Sequence, residues 1–281
     1  MQDGSVKMVE HPSLLISSVQ NPKVKEIIRL RERRDRDREG LFLIEGYREI
    51  LRATEADWEI THLFICPDLF LGINEPALIQ RLKLTQAQII YCTVAVFEKI
   101  SYRDRPDGLL AIAVQKKLVL KDLEFIFKQP TPPFFVVAEA IEKPGNLGTI
   151  LRSSDAVGVD ALIVCDRCTD IYNPNVVRAS VGTLFTVPTI EAKGEDVLAW
   201  LTSHGVCILA ATPQADKEFT EVDLNRPVAI AVGTEQLGLS EKWMQQADIQ
   251  VRIPMNGVAD SLNVAMATTL LLYEVRRQRH S

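Results

Sequence analysis

The sequence predicts an α/β protein of two domains, the second built on a parallel sheet with helices on both faces. Short runs rich in Val, Ile, Leu and Phe alternate with segments of helical spacing along the whole chain. In the second half Phe134–Ala138, Ala161–Val164, Cys207–Ala211 and Val228–Val232 are apolar throughout, as strands buried on both faces are. Between the halves stands Lys128-Gln-Pro-Thr-Pro-Pro133, where three prolines in four residues block regular structure and stiffen a linker. The expected domains are therefore 1–128, a small α/β unit, and 129–281. A length of 281 residues accommodates two domains of the usual size.

The first domain opens with a tail to about residue 20. Asn21-Pro22 then caps a helix whose apolar stripe is Val24, Ile27, Ile28 and Leu30. A charged run from Arg29 follows, ended by Gly40. Leu41–Gly46 is a strand, Tyr47–Ala53 a helix and Ile60–Cys66 a strand. Leu78–Leu84 is a helix, Ile89–Tyr91 a strand, Val94–Ile100 a helix and Leu109–Val114 the closing strand. In the second domain Phe134–Ala138 leads through the turn at Lys143–Gly148 into a helix over Leu147–Val157, which Gly158 terminates. Ala161–Val164 is a strand, Pro174–Ser180 a helix, Phe185–Val187 a strand and Val197–Ser203 a helix. After the strands Cys207–Ala211 and Val228–Val232 come a short helix at Trp243–Ala247 and a strand at Ile249–Ile253. The last helix runs from Ser261 to Arg279, with Ser261 as its cap.

Composition closes several routes. No apolar run approaches membrane-spanning length, and the first residues lack the apolar centre of a signal peptide, so a cytoplasmic chain is expected. Cys66, Cys92, Cys165, Cys168 and Cys207 are odd in number, which argues against a disulfide framework. Cys165-Asp-Arg-Cys168 has the spacing of a metal pair, but no second pair completes four ligands, so no metal is expected. With four histidines in the chain, a His-based triad has little to draw on. The net charge of −5 does not announce a nucleic-acid binder, although binding depends on where cations cluster. Arg29–Arg38 holds six arginines against three acids: a solvated face of ion pairs on one reading, a phosphate contact on the other.

In open parallel sheets, ligands bind beyond the carboxyl ends of the strands. Three stretches fall there: Asn146–Gly158, Val232–Ser240 and Val251–Glu274. The first is no dinucleotide fingerprint, since Gly145 and Gly148 supply two glycines at the wrong spacing, and no Gly-Lys-Ser/Thr makes a phosphate loop. Arg152 lies off the apolar set Leu147, Ile150, Leu151 and Val157, which by itself also describes a surface residue.

Together the three stretches resemble the signature motifs of the SpoU family of RNA ribose 2′-O-methyltransferases, in the SPOUT superfamily. Asn146, Gly148, Arg152 and Ala156-x-Gly158 match the first, and Gly233, Glu235, Gly238 and Leu239 the second. Ile253, Pro254, Met255, Gly257, Ser261, Leu262, Asn263, Val264 and Ala267 match the third. The resemblance covers about Phe134–Arg279. It implies an α/β trefoil knot, S-adenosylmethionine as cofactor, and a homodimer with the last helix in its interface. It also implies Thr212, Gly233, Ile253, Met255 and Leu262 as cofactor contacts, and Asn146, Arg152, Glu235, Ser261 and Asn263 as the catalytic set. Leu43-Ile-Glu-Gly-x-Arg-Glu, with the arginine run before it, resembles a ribosomal-protein-like RNA-binding domain. That resemblance assigns Arg29, Arg31, Arg33, Arg34, Arg36, Arg38 and Arg48 to RNA.

A ribose hydroxyl is a poor nucleophile, so such an enzyme must align oxygen, methyl and sulfur and assist loss of the hydroxyl proton. A guanidinium does not give up its own proton. Arg152 is therefore expected to hold an RNA phosphate and the developing alkoxide, with the proton passing to water or phosphate. The RNA expected is 23S rRNA. The alternatives are tRNA ribose methylation, base methylation within the superfamily, and a catalytically silent RNA-binding or assembly factor.

Overall fold

The structure, a computed structural model, describes residues 14–166, 168–234 and 236–280. It divides into two compact units, with the division between Val114 and Gln115.

The first unit runs β1 (Leu14–Ile16), α1 (Pro22–Arg29), α2 (Arg33–Glu39), β2 (Leu41–Glu45), α3 (Tyr47–Glu55), β3 (Ile60–Ile65), α4 (Glu75–Lys83), β4 (Gln88–Cys92), α5 (Val94–Ile100) and β5 (Leu109–Val114). The strand order is β1-β4-β3-β5-β2; β1, β4 and β3 are parallel, and β5 is antiparallel to β3 and β2. Asn21 caps α1 by accepting from the Lys23 N–H at 2.9 Å, ahead of Pro22 in the first turn. The stripe Val24, Ile27 and Leu30 packs with Phe64, Ile90 and Phe97 of the core.

The arginine run does not form one continuous face. It breaks after α1, and Arg36 folds back on the break, donating through Nη1 to the Leu30 and Arg31 carbonyls at 2.9 and 2.6 Å. Arg36 is only 1% exposed, which corrects its assignment to RNA: its charge is spent on backbone carbonyls that would otherwise lack partners. Gly40, left-handed at φ 66°, then stops α2 and turns the chain into β2.

The second unit runs β6 (Phe134–Glu139), α6 (Pro144–Val157), β7 (Ala161–Cys165), α7 (Pro174–Ser180), β8 (Thr189–Ala192), α8 (Gly194–Ser203), β9 (Cys207–Ala211), β10 (Lys217–Glu218), β11 (Val228–Val232), α9 (Glu241–Gln246), β12 (Ile249–Arg252) and α10 (Val264–Arg279). Its sheet has the order β10-β12-β9-β11-β6-β7-β8, and every pairing is parallel. One face buries Phe135, Val137, Ile163, Ala210 and Ala231 against Val197, Leu198 and Leu201 of α8.

A domain edge and a strand differ from the sequence reading. Residues 115–128 belong to the second unit: Leu123 and Ile126 enter that core, and the Tyr172 hydroxyl brackets Lys116, accepting from its N–H at 2.9 Å and donating to its carbonyl. The strand expected at Phe185–Val187 lies instead at Thr189–Ala192. Gly182, at φ 87°, opens a single 3₁₀ turn over Thr183–Phe185, and the chain reaches the sheet only beyond it.

Candidate active site

Three neighbouring strands of the second unit end together, and the loops after them make a cleft of about 590 Å³. Thr212 follows β9, Gly233 follows β11 and Ile253 follows β12; with Met255 and Leu262, all five expected cofactor contacts line it. Val232, Val251 and Leu239 give it an apolar back wall, and Thr212, Gln214, Asp260 and Ser261 supply polar groups.

The loop after β11 explains its own glycines. Thr234 and Gly238 exchange backbone hydrogen bonds at 3.0 and 2.9 Å, and the Leu237 N–H bonds the Thr234 hydroxyl at 3.0 Å. This folds the loop so tightly that a Cβ on Gly233 would collide with the Gly238 carbonyl. Gly238 itself sits at φ 69°. Beyond the loop, buried Glu139 at the end of β6 accepts from the Ser240 N–H at 2.7 Å and anchors the second motif to the sheet. Glu235 lies outside the described residues.

The first and third motifs meet at two asparagines. The helix carrying the first motif begins at Pro144, so Asn146 sits in its opening turn and not in a preceding loop. Gly148 lets α6 approach α7 so closely that a Cβ there would overlap Ala179. The last helix begins at Val264, and its cap is Asn263, which accepts from the Ala265 N–H at 3.1 Å. Ser261 is therefore not the cap; it lines the cleft. While its oxygen caps α10, the Asn263 amide nitrogen donates to Asn146 Oδ1 at 3.1 Å. A second pocket of about 180 Å³ opens beside this bridge, walled by Asn146, Lys143 and Glu142. It shares Thr234, Gln236, Leu237 and Val264 with the larger cleft. Leu237, 88% exposed, was not among the expected residues; its place in the loop between the second motif's glycines was the signal available.

Arg152 is exposed on α6 and lines neither pocket. It makes no hydrogen bond or ion pair among the described residues, so its guanidinium is available to a ligand. In the first unit Arg29, Arg33, Arg34, Arg38 and Arg48 are exposed. Arg31 is half-buried and donates to the Lys99, Ile100 and Ser101 carbonyls at 2.7–3.1 Å.

Burial raises the Cys165 thiol pKa, and neighbouring Asp166 raises it further, opposite to what a reactive thiol needs. Among the described residues no group of three or more potential ligands gathers for a metal ion, and no helix is long and apolar enough to cross a membrane.

Comparison with known proteins agrees with this parallel-sheet unit and its three converging loops. Residues 133–273 match the SpoU rRNA methylase family, and residues 21–111 match the MRM3-like substrate binding domain. The chain belongs to the SpoU rRNA methylase family. The 23S rRNA (uridine(2479)-2′-O)-methyltransferase of Streptomyces viridochromogenes is 31% identical over 90% of this chain and 88% of its own. The SpoU methyltransferase AviRb of the same organism, solved with the cofactor AdoMet, superposes with a TM-score of 0.84 at 28% identity, over 93% of this chain and 99% of that one. An RNA 2′-O ribose methyltransferase structure matches with a TM-score of 0.80 at 41% identity, over 95% and 100%.

Proposed function

We propose that this protein transfers a methyl group from S-adenosylmethionine to a ribose 2′-hydroxyl of 23S rRNA. The observation that carries the reading is the bridge from Asn263 to Asn146, which joins the first and third motifs beside a cleft that already holds all five expected cofactor contacts. The cleft fits that cofactor chemically. Its volume suits a ligand of nucleoside size, its wall at Val232, Val251 and Leu239 is apolar, and Gly233 lets the loop after β11 close on itself at the rim. Thr212, Gly233, Ile253, Met255 and Leu262 would hold it. When bound, it supplies a methyl already activated on a sulfonium.

The protein's part is then alignment and proton management. Asn146 and Asn263, each oriented by the other, present amide groups to the ribose, with Ser261 at the cleft edge. Arg152 takes an RNA phosphate and stabilises the oxygen as its proton leaves to water or phosphate; its fixed charge makes it a clamp and not a base. Glu235 orients this set. The exposed Arg29, Arg33, Arg34, Arg38 and Arg48 position the RNA through its phosphates, while Arg31 is held by three carbonyls of its own unit.

The working form is a cytoplasmic homodimer, its second unit a trefoil knot. Met266, Leu270 and Tyr273 support the dimer: at helical spacing on α10 they leave 63%, 43% and 52% of their surfaces exposed. α10 also packs on α6, the helix that carries Arg152, through the Ser153–Thr269 hydroxyl pair at 2.6 Å. Calorimetry with S-adenosylmethionine, followed by methyl transfer to separate rRNA and tRNA pools, tests the function. Binding with transfer to rRNA is expected; no binding would leave a silent RNA-binding factor, and transfer to tRNA alone would move the substrate.

A further inference from the structure

Between α1, α2 and the sheet of the first unit lies a cleft of about 260 Å³ that the methyl-transfer site does not use. Its floor comes from β3 and β5. His62 and Phe64, two apart on β3, face the same side of the sheet, and Ile112 pairs with His62 in register. The His62 and Phe64 rings lie 6.2 Å apart and within 13° of parallel. Phe64 is buried and His62 half-buried, so the imidazole is the accessible ring of the pair.

The walls are charged but balanced. Lys23, Arg29 and Arg38 stand against Glu26, Asp35 and Glu39. The Arg38 guanidinium is bound to Asp35 at 2.7 Å and to Glu39 at 2.9 Å, which leaves little net charge to attract a phosphate or a metal ion into the interior. A neutral flat ring with polar edges suits such a space better. Burial, then the neighbouring Lys23 charge, holds the His62 pKa below its ordinary value, so at neutral pH the ring is an uncharged imidazole. Its Nδ1 sits 3.0 Å from the Thr61 hydroxyl, and Nε2 has no partner among the described residues. At the rim, the exposed Arg29 side chain has no hydrogen bond or ion pair among the described residues. The volume, just under the roughly 300 Å³ at which drug-sized pockets begin, suits one base with its ribose and not a longer strand.

We propose that this cleft takes a single unstacked nucleobase of the substrate RNA, stacked on His62 with its phosphate at Arg29, as a binding site additional to the methyl-transfer cleft. Unpaired bases splayed onto aromatic rings are a common way for proteins to hold RNA. The inference rests on the reading of RNA as the substrate. It gives the first unit a contact with a base, where exposed arginines alone would touch only phosphates.

The test uses the full-length protein and a short single-stranded RNA carrying 2-aminopurine, whose fluorescence falls on stacking. The wild type is expected to quench the probe. His62→Ala is expected to lose the quenching and to weaken binding at least about fivefold, the lower end of the loss when one stacking platform is removed. His62→Phe keeps a flat ring and is expected to restore both, which separates lost stacking from a misfolded unit. Adenosine monophosphate distinguishes a strand from a free nucleotide: weaker binding than the oligonucleotide is expected, and binding as tight as the oligonucleotide would overturn the assignment to RNA. Equal quenching and affinity in wild type and His62→Ala, with wild type still methylating rRNA, would overturn the cleft alone. Absence of any RNA binding by the wild type would overturn the proposed function with it.

Discussion

Arg36 in the first unit and Arg152 in the second are both helical arginines, on α2 and α6. The structure separates them. Arg36 is 1% exposed and bonded to two backbone carbonyls at the break between α1 and α2. Arg152 is exposed on α6, without a partner among the described residues, on the helix that also carries Asn146. Arg279 repeats the first pattern in the second unit, donating to the carbonyls of Pro132 at 2.7 Å and Arg226 at 2.7 Å from the end of α10. An arginine whose donors are filled by carbonyls holds the fold, and one without partners among the described residues is available to a ligand.

The largest expected effect lies on the Arg152 side. Arg152→Lys keeps the charge and loses the planar fork, and methyl transfer should fall by about 10²–10³-fold, the cost of removing one oriented donor from a developing oxyanion. The melting temperature should stay within error of wild type; full activity in the variant would end the clamp assignment. Arg36→Ala should show the reverse. One buried and one part-buried carbonyl lose their donor, which costs about 1–3 kcal/mol in urea denaturation, while the folded fraction still binds S-adenosylmethionine. A neutral Arg36→Ala would mean the break between α1 and α2 is held by something else.

Asn263 falls between the two cases, since one end of its amide caps a helix and the other reaches a site residue. Asn263→Ser keeps a good cap and cannot reach Asn146, so stability should change by less than about 1 kcal/mol. Turnover should nevertheless drop at least about tenfold; parallel loss of both would show that the asparagine is only a cap.

The smallest effect concerns Glu274. Its carboxylate is bonded to Arg277 at 2.7 Å, and that hydrogen bond, against the opposing effect of burial, holds its pKa below the ordinary value. A carboxyl whose folded pKa is depressed adds stability above its unfolded pKa and loses it as pH falls through the folded one. Wild type should therefore lose stability more steeply than Glu274→Gln below about pH 4.5. Identical acid limbs would remove this ion pair from the account.

Much of this was legible in the residues because the signals are local. Asn21 before Pro22 is a cap, and it accepts from the N–H two residues on, as Asn173 and Asn263 do. The apolar strands of the second unit fall where continuous Val, Ile and Ala runs placed them. What escaped depends on distant partners. Ser261 and Asn263 are both good caps; the link to Asn146, 117 residues away, lies outside any local window. Residues 115–128 looked like the end of the first domain, yet Glu124 bonds the Trp200 indole at 3.2 Å and Phe127 stacks on His204 at 4.3 Å, all within the second unit. Phe185–Val187 has strand-forming residues, but the left-handed backbone at Gly182 leads it into a 3₁₀ turn first. Burial of Arg36 could not be read from a run in which six arginines look equivalent.

In the proposed reaction the three converging loops deliver a methyl group to a ribose oxygen. The direct measurement incubates the protein with methyl-labelled S-adenosylmethionine and 23S rRNA, digests the RNA to nucleosides and identifies the labelled one by mass spectrometry. A single 2′-O-methylated nucleoside that disappears with Arg152→Ala is expected. Label on a base nitrogen or carbon, or a 2′-O-methyl product undiminished by Arg152→Ala, would contradict it.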